Sequence, residues 1–211
     1  MISVFPQRAE LPAKMVKIVY AGAALWERIE RAVEKVKDRL RRVVQALDAA
    51  KIPYAVVGGN AVQIWVAQVD ESAVRNTQDV DIVLQRESLP AATAALGQIG
   101  MVFREVAGSS MFLDGPMAQA RDAVRVVFAG EKVRPDYPLP APEIAEWEFV
   151  RDVRTISLEP LVRMKLTSFR RKDQVHLQDM ISVGLIDRGW LAKVPAELAG
   201  RLEELLNDPD G

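Results

Sequence analysis

Hydrophobic and polar positions follow two different periods along this chain, and the period changes several times. Between about residues 23 and 50, apolar residues recur every three or four positions with charges between them, which is typical of an amphipathic helix. Pro53 ends this pattern. Short apolar runs at 54–57 and 79–84 then enclose a helical pattern that begins at Asn60. The first half of the chain therefore predicts helix, strand, helix, strand.

The second half continues the alternation and then becomes helical. A proline-rich passage at 134–142 is the predicted linker, because proline neither propagates a helix nor donates to a sheet. We expect an α/β (α+β) protein, with a mixed twisted sheet flanked by helices and a C-terminal helical domain. The predicted division is an N-terminal helical segment at 1–50, a core at 51–135, and the linker with the helical domain at 136–211. The remaining predicted elements are a helix at 87–100, strands at 101–105, 109–113 and 123–129, and helices at 159–185 and 196–206.

Composition and charge narrow the function only slightly. The 211 residues are 49% hydrophobic and 27% charged, with a net charge of -1, which argues against a polyanion-binding surface over the whole molecule. The absence of cysteine excludes disulfides and thiolate metal sites. The opening 1–14 lacks the apolar core of a signal peptide, and the stretch at 18–26 is too short to span a bilayer. We therefore expect a cytoplasmic protein without a membrane partner.

Two small motifs carry the chemical signal. Gly58 and Gly59 stand at the junction between the first strand and its helix, where paired glycines allow backbone to approach another group, such as a phosphate. Asp79 and Asp81 follow on the next strand, and their i, i+2 spacing directs both carboxylates to one side. Like charges repel, so a divalent cation between them is one explanation, and a strand end exposed to solvent is the other.

In this order the motifs resemble the nucleotidyltransferase superfamily with a DNA polymerase β-like palm, in particular its small bacterial AbiEii-type toxin branch. The residues that carry the resemblance are "VVGGNAVQIW" and "NTQDVDIVL", and a looser likeness extends through 161–180. The resemblance implies a polymerase β-like palm as the core. It also implies that Asp79 and Asp81 are catalytic and hold Mg²⁺ or Mn²⁺. It further implies that the NTP is bound by Gly58, Gly59, Asn60, Thr77, Lys165 and Lys172.

The segment after the linker adds polar groups. If 161–180 forms one continuous helix, Lys165, Lys172, His176 and Asp179 share a single stripe. The two lysines then reach the β- and γ-phosphates, with Asp173 or Asp179 orienting them. His176 is either an acid or base in the reaction or an ordinary surface histidine.

One departure from the family pattern bears on activity. Active members add a third carboxylate from a later strand, which we expect on "AVRVVFAG", yet the inward position there is Arg125. Arginine stabilises phosphate charge but cannot accept a proton. Asp114, Asp122 or Glu131 substitutes for the missing acid, or the site works with two acids, or it binds without catalysing. The alternative for Arg125 is a solvent-exposed residue on an edge strand.

These residues support one function and leave two others open. The resemblance implies transfer of a nucleoside monophosphate from an NTP to a hydroxyl of an acceptor. A tRNA or a protein is the acceptor that it suggests, and a toxin with a cognate antitoxin is the role that it suggests. The missing acid favours a degenerate nucleotidyltransferase fold that binds a nucleotide or a partner. A glycosyltransferase also uses two aspartates and a metal, but its acid pair normally follows a larger nucleotide-binding half than precedes Asp79 here.

Overall fold

The computed structural model describes residues 22–208, apart from the side chain of Arg121. The opening 1–14, the start of the stretch at 18–26 and the first part of the segment at 1–50 lie outside the described residues. Within 22–208, no helix combines the length and the apolar character that crossing a bilayer requires.

A mixed sheet of seven strands organises the described part of the chain. Its order is β3-β4-β5-β2-β1-β7-β6. β2 runs parallel to β5 and β1 runs parallel to β7, while the other neighbours are antiparallel. The strands are β1 (Tyr54–Val57), β2 (Val80–Leu84), β3 (Val102–Val106), β4 (Ser109–Leu113), β5 (Ala123–Phe128), β6 (Trp147–Val150) and β7 (Val153–Ile156).

Helices cover both faces of the sheet, which confirms the predicted α/β class. On one face α1 and α3 pack on side chains such as Val56 and Ile82. On the other face α2, α4, α5 and α6 pack on Ala55 and Val83. Asp81 alternates with Ile82, so its carboxylate lies on the second face. The helices are α1 (Ala23–Ala49), α2 (Gly58–Val66), α3 (Leu89–Gln98), α4 (Leu158–Ser168), α5 (Arg171–Ser182) and α6 (Ala196–Asn207).

The predicted continuous helix over 161–180 is wrong. Phe169 adopts a left-handed conformation with φ 44° and ends α4, and α5 begins two residues later. At this junction the Asp173 side chain accepts from the backbone N–H of Arg170 and also binds the Arg170 guanidinium. The helical spacing of apolar residues continues from α4 into α5, so the spacing alone did not reveal the break at Phe169.

Two further differences concern element boundaries. α2 begins at Gly58, so Asn60 lies within its first turn and is not the N-cap. The sequence patterns also missed β6 and β7, and β7 lies between β1 and the edge strand β6. The proline-rich passage therefore connects two strands of one sheet. The boundary placed between 135 and 136 stays a prediction.

A buried arginine ties α1 to the sheet. Arg39 is 1% exposed, and its guanidinium donates to Asp114 at 3.3 Å and to Asp122 at 3.2 Å. Arg42 adds a second contact to Asp114 at 2.8 Å. These two acids flank the connection between β4 and β5, so the pairs hold that connection against α1.

We expect Arg39→Ala to lower the free energy of unfolding by about 2 kcal/mol or more, because it leaves two partly buried carboxylates short of a partner. Arg41→Ala is the matched control, since Arg41 is 56% exposed on the same helix and its pairs lie in solvent. We expect it to change stability by less than about 0.5 kcal/mol. Urea unfolding of both variants measures the difference, and equal losses would contradict the assignment.

Candidate functional site

The two glycines let the start of α2 approach the end of β2. Gly58 has φ 69°, and a Cβ at this position would overlap the Asp81 carboxylate. A Cβ at Gly59 would lie 2.7 Å from the Thr77 hydroxyl oxygen. The missing Cβ at each glycine therefore leaves room for another side chain of the protein, Asp81 at Gly58 and Thr77 at Gly59. The helix N-terminus, with its unpaired N–H groups, is thereby brought beside the two aspartates.

Asp79 and Asp81 lie together on the sheet face covered by α2, and Arg125 lies between them. Arg125 on β5 is the register partner of Asp81. Its Nη1 is 2.8 Å from Asp79 Oδ2 and 3.9 Å from Asp81 Oδ1. β5 is an internal strand, so Arg125 is not an edge-strand residue. The arginine thus occupies the position where we expected a third carboxylate.

Contacts from three elements fix Asp79. Its carboxylate accepts from Lys172 on α5 at 3.3 Å. Its backbone carbonyl accepts from the buried Asn60 side chain at 2.6 Å, and its backbone N–H donates to the Thr77 hydroxyl at 3.4 Å. Asn60 and Thr77 therefore order the turn that leads into β2.

The two carboxyl groups have different electrostatic surroundings. Burial opposes ionisation of both, but the hydrogen bond and charge of Arg125, helped by Lys172, hold the pKa of Asp79 below its usual range. Burial raises the pKa of Asp81, and the more distant Arg125 only partly offsets it. Of the two carboxyl groups, Asp81 is therefore the one that ionises less readily.

A buried lysine forms the opposite wall. Lys165 on α4 is 4% exposed, and its ammonium lies 3.1 Å from Asp173 and 3.0 Å from His176 Nδ1. Burial lowers the pKa of Lys165, against the charge of Asp173. Despite its own burial, Asp173 has a pKa lowered to about 2 by Arg170, Lys165 and Ser168. Lys165 therefore lines the cleft while its ammonium remains paired with Asp173.

His176 is neutral over the physiological range. Burial, followed by the charge of Lys165, lowers its pKa to about 4. Because the lysine ammonium only donates, His176 Nδ1 accepts and its proton resides on Nε2. His176 is thus suited to donate a hydrogen bond and cannot serve as a base through Nε2.

This assignment predicts a pH effect on stability. The folded-state pKa of about 4 lies below the ordinary 6.5. Between these values the unfolded chain binds the proton and the native protein does not, so stability should decrease as pH falls from 6.5 to 4. His176→Gln should flatten this part of the curve in urea unfolding, with Asp173 still adding a slope at lower pH. If the stability of the wild type and of the variant depended on pH in the same way, the assignment of a neutral His176 would be contradicted.

These groups converge on one cleft with a volume of about 880 Å³. That size suits a nucleotide. Its lining includes the predicted residues Gly58, Gly59, Thr77, Asp79, Asp81, Arg125, Lys165, Lys172 and His176.

Other candidates lie elsewhere or are already engaged. Asp114 and Asp122 are paired with α1, as described above, and do not line the cleft. Glu131 lines the cleft but holds Arg86 through two contacts of 2.6 Å. Asp179 binds Arg75 instead of sharing the stripe with the lysines. Among the described residues, none of these candidate acids is therefore available beside Asp79 and Asp81 to act as the third acid.

The carboxylates of the cleft fit a divalent cation only if a bound ligand supplies further oxygen atoms. Within 22–208, no group of three or more histidine or acidic side chains is arranged to hold a metal. Mg²⁺, however, is commonly bound by one or two carboxylates together with substrate phosphates. Asp79 and Asp81 supply two carboxylates, so a triphosphate would have to complete the shell.

The sequence missed part of what surrounds the cleft. The Arg134 guanidinium lies 5.8 Å from the centroid of the Tyr137 ring, and both residues line the cleft. Arg134 and Tyr137 lie within the proline-rich passage at 134–142, which was predicted to be a linker. An arginine and a tyrosine three positions apart in a loop gave no signal of a site.

Comparison with known proteins supports the fold. No family model and no curated protein matches the chain. Among solved structures, an antigenic nucleotidyltransferase-like protein from Paracoccidioides brasiliensis matches with a TM-score of 0.52 and 19% identity, over 84% of this chain and 90% of that one. The antibiotic-resistance factor ANT(2'')-Ia matches with a TM-score of 0.50 and 13% identity, over 82% and 92%. Such identities establish architecture and not activity. The chain therefore has the nucleotidyltransferase fold.

Proposed function

We propose that this protein is a metal-dependent nucleotidyltransferase that moves a nucleoside monophosphate from an NTP to a hydroxyl of an acceptor. The observation that carries the proposal is the convergence of four features on one cleft. These are the carboxylates of Asp79 and Asp81 at the start of β2, the N-terminus of α2, Lys172 and the paired Lys165. Carboxylates suit a cation, while a helix N-terminus and lysines suit phosphate.

The phosphates are assigned to the cationic side of the cleft. The N–H groups at the start of α2 and the Lys172 ammonium would bind phosphate oxygens. Among the described residues, Asp173 and His176 take two of the three N–H donors of Lys165, which leaves one for a phosphate. Arg125 would bind a third oxygen once it leaves Asp79.

Asp79 and Asp81 are the residues that would hold Mg²⁺ or Mn²⁺. When bound, the cation would polarise the α-phosphate and neutralise its developing charge. The attacking hydroxyl must still lose its proton, and general base catalysis typically contributes about 10² to 10⁴ in rate. With Arg125 in place of a third acid, we expect a slow enzyme.

Acceptor, biological role and location are finer points of the proposal. A tRNA or protein acceptor, a toxin activity and a cognate antitoxin rest on the motif resemblance, and a cytoplasmic location rests on composition. The second candidate function is a degenerate nucleotidyltransferase fold that binds nucleotide or a partner without transfer. Arg125 favours this candidate, because a guanidinium cannot act as a base.

Transfer of label tests the proposal. Purified protein is incubated with each α-³²P-labelled NTP, Mg²⁺ or Mn²⁺, and a mixture of cellular RNA and protein. We expect label on one class of acceptor, dependent on the cation and absent with the double variant Asp79→Asn, Asp81→Asn. Cation-dependent nucleotide binding without transfer would support the binding module. The absence of both nucleotide binding and transfer would contradict the enzyme and the nucleotide-binding module, and would leave the partner-binding form of the second candidate.

A further inference from the structure

The charges at the two aspartates are already balanced in the protein alone. Asp79 and Asp81 provide two negative charges, and Arg125 and Lys172 provide two positive charges. Arg125 lies 2.8 Å from Asp79 and 3.9 Å from Asp81, and Lys172 lies 3.3 Å from Asp79. The next cation, Lys165, is balanced by Asp173. The acid pair is therefore compensated before any metal is bound.

We infer that Arg125 is a built-in counter-ion that excludes a divalent cation from the free site, so that metal and nucleotide bind only together. The inference rests on the proposed function. A divalent cation arriving alone would meet Arg125 and Lys172 at the carboxylates that it needs, and would add two positive charges to a neutral, half-buried cluster. Like charges in such a setting repel strongly.

An incoming triphosphate changes this balance. Its phosphate oxygens are strong acceptors, and arginine binds them in the same two-pronged geometry that it uses for carboxylates. Arg125 is 37% exposed, so its guanidinium has room to turn from Asp79 toward a ligand in the cleft. The triphosphate thus draws away the competing guanidinium and supplies the remaining metal ligands.

This arrangement assigns a distinct role to the residue that replaces the expected acid. A third carboxylate would strengthen metal binding in the empty site. An arginine at that position couples the metal to the nucleotide instead. Arg125 is therefore a positioning residue, which acts on the metal through Asp79.

Direct Mn²⁺ binding, followed by electron paramagnetic resonance of the free ion, tests the inference. The wild type is titrated with and without a non-hydrolysable NTP analogue, and is compared with Arg125→Gln. Arg41→Gln is the control, since Arg41 is 56% exposed on α1 and does not line the cleft. We expect the analogue to tighten Mn²⁺ binding to the wild type by about tenfold or more.

Arg125→Gln should tighten Mn²⁺ binding by about tenfold in the absence of nucleotide, and should reduce the effect of the analogue. Arg41→Gln should do neither. If Arg125→Gln leaves nucleotide-free Mn²⁺ binding unchanged while Asp79→Asn abolishes binding with the analogue, the counter-ion role is wrong and the proposed function stands. If Mn²⁺ binds none of these proteins under either condition, the inference and the proposed metal site both fail.

Discussion

Replacing Asp81 by asparagine is expected to lower nucleotidyl transfer by about a hundredfold or more, because it removes one of the two carboxylates proposed to hold the cation. The change preserves the size of the side chain, so the close contact with Gly58 remains possible. The measurement is the initial rate of label transfer at saturating NTP, with circular dichroism to confirm folding.

Asp122→Asn is the matched control for this prediction. Asp122 pairs with Lys35 and Arg39 outside the cleft, so we expect transfer at the wild-type rate. A folded Asp81→Asn variant with normal transfer would remove Asp81 from the site. A loss confined to Asp122→Asn would show that Asp122 is the third acid after all.

The second large effect is on stability and concerns Asp173. This residue is 0% exposed and binds Lys165, Ser168 and Arg170. Asp173→Ala leaves a buried ammonium without its counter-ion and removes the capping contact of α5. We expect the free energy of unfolding to fall by about 3 kcal/mol or more.

A double-mutant cycle separates the lost pair from the lost volume. Removing both charges in Asp173→Ala, Lys165→Met should recover part of the stability, since an uncompensated charge is then no longer buried. Urea unfolding of the single and double variants gives the coupling energy. Additive losses would contradict a direct energetic link between the two residues.

Much of the site was predictable from the sequence because its signals are local. Asp79 and Asp81 are two positions apart, and the alternation of an extended chain predicts that they lie on one side. The predicted strand at 79–84 begins one residue later in the structure, at Val80. The glycine pair marked the strand-to-helix junction correctly. Its physical reason differs, however, because Gly59 accommodates Thr77. Loss of nucleotide binding in Gly59→Val would therefore not show that backbone touches phosphate.

The parts that could not be predicted depend on long-range pairing. Alternation placed Arg125 on the inward face of its strand, but its contact with Asp79 depends on the parallel register between β2 and β5. Likewise, β7 takes its place beside β1 only through the tertiary fold, although its own sequence is short. The break at Phe169 keeps the helical period on both sides, so it too escaped the pattern.

The chemical role of His176 also depends on tertiary contacts that the sequence did not reveal. Sequence proposed His176 as acid or base, or as a surface residue, because a lone histidine carries no further information. Its contact with Lys165 crosses the junction between α4 and α5, and this contact fixes the tautomer. Electrostatic roles of this kind follow from tertiary neighbours and not from spacing.

A crystal structure of the protein with Mn²⁺ and a non-hydrolysable NTP analogue tests the central claim most directly. The account predicts an anomalous manganese peak bound by the Asp79 and Asp81 carboxylates and by phosphate oxygens. It also predicts the triphosphate at the N-terminus of α2, with Arg125 turned away from Asp79. A well-ordered nucleotide bound elsewhere, or in this cleft with manganese remote from both aspartates, would contradict the account.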